Sequence, residues 1–208
     1  MKKLTFFIIA FASLTFSCIS IPMSIKNAFT FCYTDIYTGI DTLINIDGHY
    51  SALIFYENGL VARPIYMDIE QLRRNDFSFI EKVAKNPETK ESKSFYNFID
   101  CGSYVIDGDM IKVQMLHNHH SINDEWDGIE EWYKIIDKNT LLLVDMFLLT
   151  TNKNQREQSR RQYKYYNHFP KQVTIASLPA KLPSEYHWIL KKKWFWCNKQ
   201  DWKERRNL

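Results

Sequence analysis

Gly102-Ser103-Tyr104-Val105-Ile106-Asp107-Gly108-Asp109-Met110-Ile111-Lys112-Val113-Gln114-Met115 is the stretch that decides the fold of this chain. Ile111, Val113 and Met115 alternate with Lys112 and Gln114, which is the period of an extended strand with one dry face and one wet face. Asp107-Gly108-Asp109 lies between two such runs and reads as a tight reversal. The unit is an antiparallel hairpin.

The same grammar continues on both sides. Upstream, Gly48-His49-Tyr50 opens a run through Ser51-Ala52-Leu53-Ile54-Phe55-Tyr56, and Leu60 to Tyr66 follows Asn58-Gly59, two residues that tolerate positive φ. Pro64 has no amide donor and marks an edge or a strand end. Downstream, Glu130 to Ile136, the turn Asp137-Lys138-Asn139 and Thr140 to Asp145 form a third pair, and Tyr163 to Tyr166 offers one more strand. Hairpins in series give an antiparallel meander. Strands rich in Ile, Leu, Phe and Tyr carry exposed edges, and curling the sheet into a barrel removes them. The expected fold class is therefore mainly β, with a short helical insertion between Asp68 and Lys93 that ends near Asn86-Pro87. Thr151 to Gln162 is polar throughout and reads as a long hairpin loop or a surface helix.

The N-terminus carries an export pattern. Lys2 and Lys3 precede an uncharged apolar run from Leu4 to Phe16, and Leu14-Thr15-Phe16-Ser17-Cys18 sets a small residue directly before a cysteine. The tail resembles the bacterial lipoprotein signal, which implies acylation of Cys18 after cleavage. It divides the chain into a signal peptide (1–17), a lipidated spacer (18–44) and a β domain (45–208). The alternative, an uncleaved membrane anchor, is opposed by Pro22 and by Ser13, Thr15, Ser17 and Ser20 in the second half of the run. Either way the domain is expected outside the cytoplasm, in the cell envelope.

Composition narrows the function. The chain is 45% hydrophobic and 15% aromatic, which is globular composition. Its net charge is +3 including Lys2 and Lys3, too balanced to gather phosphate, so nucleic acid is not an expected partner. Beyond Cys18 the cysteines are Cys32, Cys101 and Cys197. An oxidising compartment allows one pair, but an odd number without short spacing reads foremost as isolated thiols.

Catalytic signatures such as Gly-x-Ser-x-Gly, His-Glu-x-x-His and a Gly-rich phosphate loop are absent from the sequence, so no enzyme and no cofactor are expected. Glu130 and Glu131 are adjacent, face opposite sides of a strand, and are expected to be solvated or paired across strands. His117-Asn118-His119-His120 is the densest group of metal-ligand types, and Asp124, Glu125 and Asp127 lie near enough to complete a shell. The competing reading is a hydrophilic loop, since Asn118, Asn123 and Gly128 favour turns. The C-terminal Trp188-Ile189-Leu190-Lys191-Lys192-Lys193-Trp194-Phe195-Trp196 interleaves basic and aromatic residues. It reads either as a cover for the barrel end or as a contact for anionic lipid or a sugar face.

Gly48-His49-Tyr50, Phe55-Tyr56-Glu57-Asn58-Gly59, Gly102 to Lys112 and Trp132 to Leu141 together resemble the lipocalin-like (calycin) lipoproteins of gut-type bacteria. The resemblance spans roughly residues 46–144. Tyr50 stands where lipocalins usually carry Trp, and the usual C-terminal helix is not evident. The likeness implies an up-and-down barrel with an apolar cavity for a small hydrophobic ligand, lined by Tyr50, Phe55, Tyr104, Ile111, Val113, Trp132 and Tyr133. Trp132 and Tyr133 are neighbours and cannot both face inward. The alternative is a solidly packed envelope protein that recognises another protein or a glycan.

Overall fold

The computed structural model describes residues 21–64, 78–117, 126–178 and 180–206. Eight strands run in chain order: β1 (Gly48–Tyr50), β2 (Ile54–Phe55), β3 (Leu60–Arg63), β4 (Asp100–Asp107), β5 (Met110–His117), β6 (Asp127–Asp137), β7 (Thr140–Leu148) and β8 (Lys171–Ser177). They form one antiparallel sheet in the order β1-β8-β7-β6-β5-β4-β3-β2. Its two outermost strands, β1 and β2, meet through a two-way bond between Tyr50 and Leu53, with both N···O distances at 2.9 Å. The meander thus curls into a nearly closed barrel, as the hairpin pattern predicted.

The closing corner was not foreseen. Residues 51–56 read as one continuous run, but Ser51 (φ 49°) and Ala52 (φ 71°) both take the left-handed conformation and fold the chain back on itself. Two consecutive positive φ angles make the turn whose twist suits a hairpin, here without glycine or asparagine. The Ala52 amide is held by His49 Nδ1 at 3.1 Å. Tertiary closure has overridden local preference.

The three reversals read from sequence all form, and they lie at one end of the barrel. Of the Asn58-Gly59 pair only Gly59 uses positive φ (88°). Asn58 instead spends its side chain on contacts, donating to the Tyr33 hydroxyl at 2.7 Å and to Asp35 at 2.8 Å. At the β4–β5 turn Gly108 carries the positive φ (62°). The long connections, 64–99, 118–126 and 149–170, leave from the opposite end.

Among the described residues six α-helices decorate the sheet: α1 (Met23–Ala28), α2 (Ile40–Leu43), α3 (Ser78–Lys85), α4 (Lys90–Phe98), α5 (Lys153–Asn167) and α6 (Lys199–Arg206). The 68–93 insertion reading is corrected in part, because a second helix, α4, follows the Asn86-Pro87 break; Thr89 caps it by accepting from the Ser92 amide at 3.2 Å. Tyr163 to Tyr166 is not a strand but the last turns of α5. Asn152 caps α5, and the helix lies over β6 and β7, where Arg156 and Arg160 sit 4.0 and 4.5 Å from the Phe147 ring centroid. Among the described residues no helix is long and apolar enough to cross a membrane. Cys18 lies outside the described residues.

Two cores result. The inner one fills the barrel with Tyr50, Phe55, Val61, Tyr104, Ile111, Val113, Tyr133 and their neighbours, and Ile40 of α2 with Ile44 and Ile46 just after it stopper the hairpin end. The outer one covers β2 to β5 with Ile21 and Ile25 of the N-terminal segment, Ile80 and Phe95 of the insertion, and Trp188, Phe195 and Trp196 of the tail. A Cys32–Cys197 disulfide staples the two termini, so the expectation of isolated thiols holds only for Cys101, which is free and buried. Beside the bridge the Tyr33 amide donates to the Phe195 carbonyl at 2.8 Å, and the Cys197 amide to the Tyr33 carbonyl at 2.9 Å.

Candidate functional site in the barrel lumen

Strand register puts the inward residues of adjacent strands at matching heights. Arg63 is opposite Asp100, His117 opposite Asp127, and Val113 opposite Glu131. Five ionisable side chains therefore gather inside the lumen at the end where the long connections leave. Arg63 Nη2 grips Glu131 through both carboxylate oxygens, at 2.7 and 3.0 Å. The Tyr133 hydroxyl donates to the same carboxylate at 2.8 Å. His117 Nδ1 bonds Asp100.

The network is dry at its acids and wetter at its bases. Glu131 and Asp100 are 3% and 1% exposed, whereas Arg63 and His117 are each 18% exposed. Burial works against the His117 imidazolium, but the bond and charge of Asp100, helped by Asp127, outweigh it and raise the pKa. Burial likewise opposes the Arg63 guanidinium, and Glu131 more than restores it. Tyr133 is driven well above the ordinary phenol range by burial and by the Glu131 charge. Charges in such a place lose several kcal/mol of hydration each unless paired, by general estimate. A barrel core does not require them for packing, so a buried charged cluster at one end of the lumen marks a candidate site.

At the other end the lumen is shut by hydroxyls. Tyr50 OH lies 2.7 Å from the Lys138 carbonyl and 3.1 Å from that of Asn45. Tyr104 OH lies 2.6 Å from both the Tyr56 carbonyl and Thr38 Oγ1. Between them the Phe55 ring meets Tyr50 and Tyr104 edge-on, with centroids 6.1 and 5.5 Å away.

Of the seven residues named as cavity lining, Tyr50, Phe55, Tyr104, Ile111, Val113 and Tyr133 belong to the inner core. Trp132 does not. It points outward beneath α5, its Nε1 donating to Glu130 at 2.6 Å and its ring 5.9 Å from that of Phe147. The two glutamates face opposite sides as expected and neither is solvated; the cross-strand alternative holds for Glu130, buried on the outer face with its β5 partner Gln114 (2.8 Å) and with Arg156 (3.3 Å), while Glu131 lies in the lumen. His117 faces the lumen beside Asp100, and His119 and His120 lie outside the described residues. Among the described residues no three His, Cys, Asp or Glu side chains are placed to share a metal ion.

Arg63 and Asp100 were not singled out from the sequence. Arg63 precedes Pro64 at a strand end and Asp100 precedes Cys101 at a strand start, and only the strand register pairs them. A second buried polar group was equally hidden. His187 Nε2 lies 2.9 Å from Tyr56 OH and its Nδ1 lies 3.5 Å from Cys101 Sγ, all in the outer core. Burial pushes His187 down to about 3 and the Cys101 thiol well up, so neither ionises near neutrality. The pair packs as a hydrogen-bonded plug in the outer core.

Comparison with protein-family models, curated proteins and solved structures returns no match. Fold and site define the class by themselves: a nearly closed eight-stranded antiparallel barrel, stoppered at its hairpin end and charged toward the other.

Proposed function

We propose that the chain is an exported lipoprotein of the cell envelope, acylated at Cys18, whose barrel holds or senses a small and largely apolar molecule admitted at the Arg63–His117 end. The observation that carries this reading is the asymmetry of the lumen. One end is sealed by tied tyrosines and three isoleucines, while the other presents hydrogen-bonding groups that reach solvent through Arg63 and His117. An apolar wall with a few convergent polar groups is the usual make-up of a small-molecule site. The Cys32–Cys197 bridge supports the export part of the reading, because such bonds persist in oxidising compartments.

A specific feature favours the second reading, a packed barrel that recognises an envelope protein or glycan by its surface. The edge-on contacts among Tyr50, Phe55 and Tyr104 leave that half of the lumen occupied by the protein itself. Native mass spectrometry of protein extracted gently from membranes separates the two. A retained mass that disappears on organic extraction, and that is lost in an Arg63→Gln variant, supports ligand binding. A clean apo mass, together with no uptake of a fluorescent fatty-acid analogue, turns the assignment to the packed barrel.

A further inference from the structure

Charge in this chain is strongly segregated. Seven of the 27 Lys and Arg residues, but two of the 24 Asp and Glu residues, fall within 191–206, so everything else carries more acid than base. Lys191, Lys192, Lys193, Lys199, Lys203 and Arg206 are exposed, and Trp194 and Trp202 are half-buried among them. The cations lie over the rings: Lys193 Nζ and the Arg206 guanidinium sit 5.8 and 5.6 Å from Trp202. A recess of about 560 Å³ opens between Glu185, Leu190, Lys191, Trp202, Arg205 and Arg206.

Position supplies the second argument. The tail is fixed to the N-terminal segment by the disulfide, by the 5.6 Å edge-on contact of Phe29 with Trp194, and by the 3.2 Å pair of Arg205 with Asp35. Ile21, the first described residue, is buried in the same outer core as Phe195 and Trp196. Cys18 is three residues before it, so a lipid on that cysteine inserts within about 10 Å of Ile21 even when the link is fully extended. The basic face is therefore held close to wherever the acyl chains enter.

We propose that the 191–206 face is a membrane-contact surface that lies on an anionic leaflet, its lysines and arginines against headgroup phosphates and Trp194 and Trp202 at the interface. Basic residues near an anionic surface are attracted by its negative potential, and aromatic rings with one polar edge prefer the headgroup layer. Acyl chains alone hold the protein down but leave it free to tilt, whereas a charged face fixes which side meets the lipid. The proposal takes from the preceding section only the acylation of Cys18, which intact mass reads independently.

The test is hydrogen exchange on the full, membrane-extracted protein reconstituted into vesicles of phosphatidylcholine with phosphatidylglycerol, or of phosphatidylcholine alone. Amides of 193–206 are expected to exchange more slowly in the anionic vesicles, with the 107–110 turn unchanged as an internal reference. The triple variant Lys191→Glu, Lys193→Glu, Arg206→Glu removes that protection while keeping the disulfide and the circular dichroism. At roughly fivefold per basic residue, the reversal lowers the population of the lipid-bound face by more than about 100-fold. Equal exchange in the two kinds of vesicle overturns the proposal whatever the mass at Cys18. Equal protection by inorganic phosphate without vesicles also overturns it, reassigning the recess to a free anion. A mass without acyl groups removes the anchor alone, and flotation of that same protein with anionic vesicles then still supports or sinks the surface.

Discussion

The inner and outer cores of this protein are built from the same kinds of side chain but from opposite kinds of connectivity. Inside the barrel, contacts run between strands that follow one another in sequence, with alternate residues of each hairpin facing the lumen. Outside, residues 21–33, 80–99 and 182–196 converge on the reverse face of β2 to β5 and are held by a disulfide that spans 165 residues. Local pairing makes a core that needs little loop closure, whereas a core assembled from distant segments depends on whatever fastens them. The polar groups set into the two cores differ as well. The inner network at Arg63, Glu131, His117 and Asp100 is charged, while the outer group at Tyr56, His187 and Cys101 is neutral.

The largest test of this contrast is removal of the staple. Cys32→Ser with Cys197→Ser is expected to cost up to about 5 kcal/mol, the loop-entropy figure for so long a closure. Native-state exchange should show amides of 21–33 and 188–197 opening first, with β4 to β7 still protected. Uniform loss of protection would break the comparison by showing one cooperative unit.

Next in size is the charged end of the lumen. Glu131→Leu leaves Arg63 facing an apolar wall and is expected to lose about 3–5 kcal/mol in a urea titration, while adding Arg63→Met recovers most of it. A neutral single variant would mean that the lumen end is wet rather than dry.

The buried His187 and the half-buried His117 should respond to pH in opposite senses. His187 is depressed to about 3 by burial, so between the ordinary histidine value near 6.5 and about 3 the unfolded chain binds the proton that the folded chain refuses. Stability from this group therefore falls on acidification, by about 1.4 kcal/mol per pH unit in that window. His117 has a raised pKa, so its contribution is present below about 6.5 and fades as pH climbs through its folded value. Urea midpoints from pH 7.5 to 4 for native protein, His187→Gln and His117→Gln read both slopes. His187→Gln should flatten the acid loss and His117→Gln should steepen it.

The smallest expected effect lies at the seam. Ala52→Gly relieves the positive φ of 71° at the β1–β2 corner and should raise stability by about 1 kcal/mol, measured as a shift in the urea midpoint. A loss instead would show that the unfolded-state entropy of glycine outweighs the strain.

Legibility follows the same line. Asp107-Gly108 and Asn58-Gly59 announced their reversals because turn chemistry is local, and Ile111, Val113 and Tyr104 announced the lumen because alternation is local. Trp132 was separable from Tyr133 in principle, but nothing in its neighbours said which of the two faces inward. The Ser51-Ala52 corner carried no turn residue, since its conformation is imposed by closure of the sheet. Tyr163 to Tyr166 looked like a strand by composition, yet Asn152 and the arginines that reach Phe147 make it helix.

By itself the amino-acid order determined that hairpins form in series and that a barrel is their economical end, because strand period and turn preference act over a few residues. Only the tertiary structure decided where the barrel seals, that Cys32 finds Cys197, and that Arg63 meets Glu131 while His117 meets Asp100. Those pairings depend on strand register and on the path of long connections, and their energies arise only after water has been excluded from between segments that sequence sets far apart.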